Sequence, residues 1–124
     1  MLFYALSLFP LFQILFLSAY MSPEILCCFD GSPPESSPAD DLYSFGVLLW
    51  ELWTGGALPW RGHSLAHIIA AHMAKRTLCD AEPQLTARIP TVIATIVRQL
   101  LGPAHQRPSA EQVLQSLKDA AAAL

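Results

Sequence analysis

The sequence predicts an all-α fold built around one buried central helix. Three observations carry that expectation. Residues 41–52 (DLYSFGVLLWEL) are helical in length and apolar on nearly every side, a pattern found in helices buried in a larger body or in a membrane. Asp41 and Ser44 in its first turns and Glu51 near its end speak against the membrane. Three further segments each carry a single apolar face at helical spacing, framed by capping residues. No strand pattern rises above noise after Tyr20.

The elements follow in order. Residues 1–20 hold no charged side chain, and the first basic residue is Arg61. We treat 1–19 as a hydrophobic N-terminal segment separate from 20–124. Its length suits one membrane span, which Pro10 and Gln13 weaken. It lacks the basic start and the cleavage site of a signal peptide. The readings left open are a membrane anchor, a start that is not native to the chain, and a buried element. If it spans, every Lys and Arg lies on its C-terminal side, which would put that side in the cytoplasm.

A short turn and helix form around Pro23. Residues 30–38 (DGSPPESSP) read as a loop. Ser32-Pro33 and Ser37-Pro38 match proline-directed phosphorylation sites, although Ser-Pro is also ordinary turn chemistry. Ser37 is placed to cap the central helix, with Pro38 at its first position and Asp40 completing a capping box. Leu42, Phe45, Leu49, Leu52 and Trp53 form its apolar stripe, and Gly55-Gly56 ends it. A loop with Pro59 and Trp60 leads to Ser64, the cap of a second helix reaching Arg76. The face of that helix is Leu65, Ile68, Ile69, His72 and Met73. Lys75 and Arg76 at its end suit the helix dipole. A loop is expected from there to Pro90. Thr91 then caps a third helix along Ile93, Ile96, Val97, Leu100 and Leu101, ended by Gly102-Pro103. Ser109 and Gln112 form a capping box for the last helix, along Val113, Leu114, Leu117, Ala121 and Leu124. The three amphipathic helices are expected to pack on the central one.

Composition excludes some functions. The 124 residues suit one domain. A net charge of -3, with seven scattered basic residues, gives no nucleic-acid footprint. The three cysteines, Cys27, Cys28 and Cys79, are an odd set that suits a reducing compartment. Together with His63 and His67 they lack the paired spacing of a zinc site, and no metal is expected.

Three anchors, in order, resemble the C-terminal lobe of a protein kinase catalytic domain. Tyr20-Met21-Ser22-Pro23-Glu24 resembles the A-P-E motif and the substrate-facing loop before it, with Ser in place of Ala. Asp41-Leu42-Tyr43-Ser44-Phe45-Gly46 resembles the opening of the family's central helix. Gly102-Pro103 through Arg107-Pro108-Ser109 resembles the segment that enters its last helix. The resemblance covers Tyr20 to Leu124. It implies that Tyr20, Met21 and Ser22 face substrate, and that Pro23, Glu24, Asp41, Gly46 and Arg107 are structural. Glu24 would pair with Arg107, whose planar fork suits bidentate binding of a carboxylate. Read without the motif, both are solvated surface charges. Asp41 would accept backbone N–H groups of the catalytic loop; its plain reading is a first-turn acid. The helix after the Pro-Trp loop is a frequent docking surface in the family, which points to His63, His67 and Lys75.

Tyr20-Met21, where tyrosine kinases usually carry Trp, and Leu101-Gly102, where they often have Cys-Trp, favour serine/threonine kinases of the tyrosine-kinase-like type. The chain contains no Gly-rich phosphate loop, V-A-I-K lysine, H-R-D loop or D-F-G metal ligand. The adjacent Asp40 and Asp41 point about 100° apart on a helix and make no carboxylate pair. The expectation is a kinase-like stretch that is inactive alone, with no catalytic residue. It needs no cofactor by itself, while ATP and magnesium serve the full-length family. The alternative is a non-catalytic interaction module, membrane-tethered if 1–19 is an anchor. Expected partners are a protein substrate or a regulatory protein, in the cytoplasm.

Overall fold

A computed structural model describes residues 17–28 and 37–124. The expectations for residues 1–16 and for Ser32-Pro33 lie outside the described residues. Among the described residues there are helices and turns and no strand. The helices are α1 (Pro23–Leu26), α2 (Pro38–Trp53), α3 (Leu65–Met73), α4 (Leu78–Ala81), α5 (Pro83–Thr86), α6 (Thr91–Leu101) and α7 (Ala110–Ala123). A 3₁₀ turn, Ala104–Gln106, precedes α7. None of these is long and apolar enough to cross a membrane.

The central helix is α2, and its start follows the sequence closely. Ser37 is the cap in extended backbone, and Pro38 holds the first position. The Asp40 carboxylate accepts the Ser37 N–H at 2.8 Å, closing the reciprocal box. The predicted stripe, however, is corrected. Tyr43, Gly46, Val47 and Trp50 make the buried face, joined by Leu49, while Leu48, Leu52 and Trp53 are exposed. Period alone could not choose, because α2 is apolar all round and the packing partner decides which stripe is covered.

That partner is α6. Ile93, Ala94, Ile96, Val97, Leu100 and Leu101 are all buried along it. Gly46 is what lets the two axes approach. A Cβ there would stand 2.7 Å from Leu100 Cβ and 3.3 Å from Leu101 Cδ2. Thr91 is not the cap of α6: Pro90 takes that position, and Thr91 is the first helical residue. Helix α7 lies on the other side of α6, with Val113 and Ala120 buried. Val113 and Leu117 of the predicted face turn inward with Ala120, while Leu114, Ala121 and Leu124 face solvent. The helices thus stack in sequence, α2 on α6 on α7, and α3 packs on α1 and touches α2 through the edge-to-face contact of His72 with Tyr43.

Helix α3 begins at Ser64, whose hydroxyl accepts the His67 N–H at 3.2 Å. Ile68 and His72 are buried, and Met73 is exposed, contrary to expectation. The stretch expected as loop between α3 and Pro90 folds into α4 and α5. Thr77 and Asp80 open α4 with the same box as α2, the Thr77 N–H donating at 2.9 Å. Leu78, Cys79, Thr86 and Ile89 reach the core from here. Thr86 Oγ1 accepts the indole N–H of Trp50 at 3.0 Å and donates to the Glu82 carbonyl at 2.7 Å. The fully buried Trp50 is thereby satisfied in its polar atom as well as in its apolar surface.

Candidate functional site

Among the described residues the longest-range polar junction joins α1, the start of α2 and the approach to α7. Arg107 is at its centre, with its side chain 1% exposed. One terminal nitrogen donates to both Glu24 oxygens, at 3.0 and 3.1 Å. The other terminal nitrogen donates to the Ala39 carbonyl at 3.0 Å, and Nε donates to the Gly102 carbonyl at 3.0 Å. The guanidinium also lies 5.1 Å from the centre of the Tyr43 ring. The predicted pair therefore forms, with a different division of labour. The fork does not grip the carboxylate with two parallel arms; it divides between the carboxylate and two carbonyls. Arg serves here because five donors in one plane can reach three separate backbone and side-chain targets.

A second junction sits beside it. Ser22 caps α1 in extended backbone, and its hydroxyl accepts the Ile25 N–H at 3.4 Å. The same hydroxyl donates to Asp40 at 2.6 Å. Asp40 thus ties the start of α1 to the start of α2. Burial pushes the Asp40 carboxyl upward, but the Ser22 and Ser37 hydrogen bonds outweigh it, and the net value lies below the usual carboxylate range. Asp40 is the junction residue that sequence reasoning gave only a capping role. Its signal was present: two adjacent acids at a helix start, only one of which can point inward.

Asp41, the acid singled out by resemblance, is the one that points outward. It is exposed and makes no hydrogen bond among the described residues. Tyr20 and Met21 are half-buried. The Tyr20 hydroxyl donates to Glu51 at 2.5 Å, and the Tyr20 carbonyl accepts the Ser44 hydroxyl at 2.7 Å. Burial first, and then Glu51, push the Tyr20 phenol up to about 12. Ser22 is buried. Gly46 lies in the α2–α6 contact, away from any opening. His63 and His67 share a shallow cavity of about 470 Å³ beside Trp60, whereas Lys75 lines a different one with Glu24 and Tyr43. Arg76 lines both cavities, so the two openings adjoin.

No nucleophile stands out. Burial, and then Glu24, raise the Cys27 thiol, and burial raises the Cys79 thiol, which makes both poor thiolates. Among the described residues no group of three or more His, Cys, Asp or Glu is placed to hold a metal ion.

The tie from buried Arg107, at the approach to α7, to half-exposed Glu24 on α1 and the core of α2 on α6 together hold this site. The family model for protein tyrosine and serine/threonine kinases matches residues 15–117. The chain belongs to the protein kinase family. Protein nipi-4 of Caenorhabditis elegans is 37% identical over 90 residues, covering 73% of this chain and 22% of that protein. Human mitogen-activated protein kinase kinase kinase 11 is 32% identical over 108 residues, covering 81% of this chain and 11% of that protein. The inactive tyrosine-protein kinase kin-32 of C. elegans is 27% identical over 85 residues, 67% of this chain and 9% of that protein. The chain spans between 9% and 22% of the length of these curated relatives. Within the kinase family, the helices described above are those of a C-terminal-lobe fragment.

Proposed function

We propose that these residues form the substrate-side base of a serine/threonine kinase domain of the tyrosine-kinase-like type, and that phosphoryl transfer requires elements outside them. The observation that carries this reading is the contrast between two anchors. Glu24 and Arg107 are joined. Asp41, the residue suited to hold a catalytic loop, is exposed and unengaged among the described residues. The completed anchor holds the helix that directly follows Tyr20, Met21 and Ser22, and the open one presents a carboxylate on the same side of α2 as the exposed Leu48 and Leu52. Phosphoryl transfer needs a nucleotide cradle, metal ligands and a base. The sequence supplies none of these, so ATP and magnesium act only where the missing elements are joined to it. The human relative named as a kinase kinase kinase supports the serine/threonine class. A cytoplasmic setting and a protein substrate or regulator follow from that class.

The test is thermal melting of the 124-residue chain with and without ATP and magnesium. No saturable shift is expected, and a saturable one overturns the reading. The transcript upstream of the Tyr20 codon should encode H-R-D and D-F-G in frame. Their absence there would favour a second reading, a non-catalytic kinase-like interaction module. That reading is supported by the exposed apolar side of α2 and by the relative named as inactive.

A further inference from the structure

The C-terminal ends of α2 and α3 use the same closing motif with different residues. At the end of α2, Gly55 N–H donates to Leu52 O at 3.3 Å and Gly56 N–H to Glu51 O at 2.9 Å. At the end of α3, Lys75 N–H donates to His72 O at 2.9 Å and Arg76 N–H to Ala71 O at 2.8 Å. Both ends require one residue in the left-handed region. Gly55 adopts it at φ +79 without penalty, and Lys75 adopts it at φ +58 with one. Folding alone would favour glycine at 75.

Lys75 stands at the mouth of a cavity of about 310 Å³, a size suited to a small organic group. Its wall is apolar, made by Pro23, Leu101, Pro103 and the ring of Tyr43. Its mouth carries Lys75, Arg76 and His105, all exposed. Neither the Lys75 ammonium nor the Arg76 guanidinium has a hydrogen bond or ion pair among the described residues. The carboxylate that lines the cavity, Glu24, is already held by Arg107, and Asp80 nearby along the chain is held by Thr77. A chain of net charge -3 therefore presents a locally cationic mouth. Two residues of the inner wall add an independent sign. Tyr43 and His72 are each more than nine-tenths buried, and Tyr43 Oη and His72 Nε2 have no hydrogen-bond partner among the described residues. Unpartnered buried polar atoms are uncommon and call for an explanation.

We propose that this cavity binds an aromatic group carrying an anionic end, with the ring against Pro23, Tyr43 and Leu101 and the anion between Lys75 and Arg76. Two adjacent cations suit a phosphate better than a neutral hydroxyl. Lys75 is the positioning residue, and its backbone penalty is offset by the charge it delivers. The cavity is lined wholly by this chain's own residues, so its ligand does not depend on the catalytic reading above.

The probe is phenyl phosphate titrated into the full chain and followed by the NMR resonances of Tyr43 and His72, with phenol as the neutral control. A tyrosine-phosphorylated peptide in a parallel arm separates a peptide source from a free aryl phosphate. Saturable shifts with phenyl phosphate, and weaker ones with phenol, are expected. Lys75→Gly should raise Tm by a few degrees while weakening binding about tenfold. Arg76→Gln should weaken binding with Tm unchanged. A merely structural Lys75 would move Tm alone. No saturable shift, equal binding of phenol, or unchanged affinity in Lys75→Gly overturns the proposal.

Discussion

Trp50 and Trp53 stand one turn apart on the same helix, yet Trp50 is 0% exposed and Trp53 38%. Trp50 lies on the side of α2 that meets α6, where its ring is enclosed and its N–H is held by Thr86. Trp53, about 60° round from Trp50 and the last residue of α2, is left partly uncovered at the helix end, while Leu48 and Leu52 stand on the opposite side, with Leu52 64% exposed. The difference teaches that side-chain type did not decide burial here. One side of α2 is completed by the chain's own later helices, and the other is an apolar surface with nothing from the described residues over it.

The largest expected effect breaks the completed side. Trp50→Ala should cost about 4 kcal/mol, since it removes a fully buried indole and orphans the Thr86 hydroxyl from that donor. Trp53→Ala should cost about 1–2 kcal/mol, because its indole is only partly covered. Denaturant melts of both variants check the pair, and equal costs would erase the distinction between the two tryptophans.

Next comes the junction that holds the completed side to α1. Arg107→Ala should cost about 3 kcal/mol, because two backbone carbonyls and the Glu24 carboxylate lose their donor together. Glu24→Gln should cost only about 1 kcal/mol, since the Glu24 side chain is 43% exposed and screened by water. Arg107→Lys should fall between the two, because an ammonium cannot span three targets in one plane. Gly46→Ala follows at about 2 kcal/mol, with the added methyl driven against Leu100 in a close-packed contact.

These effects bear on what the sequence could reveal. Caps were legible, because a Ser or Thr three residues before an acid or amide acts through local geometry alone: Ser37 with Asp40 and Ser109 with Gln112 closed as read. The α6 face was legible, because only one stripe of that helix is apolar. The α2 stripe was not, because every stripe is apolar and the choice depends on a partner fifty residues away in sequence, roughly half the chain. Helices α4 and α5 were missed for their brevity: four-residue helices show no periodicity, although Thr77 with Asp80 carried the same cap signal. In the candidate site, motif resemblance found Glu24 and Arg107, but not Asp40. Nor could it reveal that Tyr43 and His72 keep unpartnered buried atoms at one cavity, since that is set by α1, α2 and α3 together.

A smaller effect sharpens the comparison through pH. Asp40 titrates below its ordinary value in the folded chain, so the folded state binds its proton less readily than the unfolded state. Its stabilisation is therefore fully present above about pH 4, the ordinary aspartate value, and is lost as pH falls through the lower folded value. His72 adds an earlier loss. Burial holds its imidazole neutral, so stability declines as pH drops through about 6.5. Asp40→Asn should cost about 1.5 kcal/mol at neutral pH and flatten only the lower limb of a Tm-against-pH curve. If the lower limb keeps its slope, Asp40 is not the group that links α1 to α2.

The smallest expected effect tests the open side directly. Leu52→Glu, alone or with Leu48→Ser, should change stability by less than about 0.5 kcal/mol, because neither side chain has a neighbour that completes its burial. The same substitutions should raise solubility, since they place charge or a hydroxyl on an apolar patch. Melts at two protein concentrations separate the outcomes. A Tm independent of both concentration and variant means that the side is open in the isolated chain. A concentration-dependent Tm that falls in Leu52→Glu means that copies of the chain cover this side for one another. In that case the contrast between the two sides of α2 would belong to the single chain and not to the assembled one.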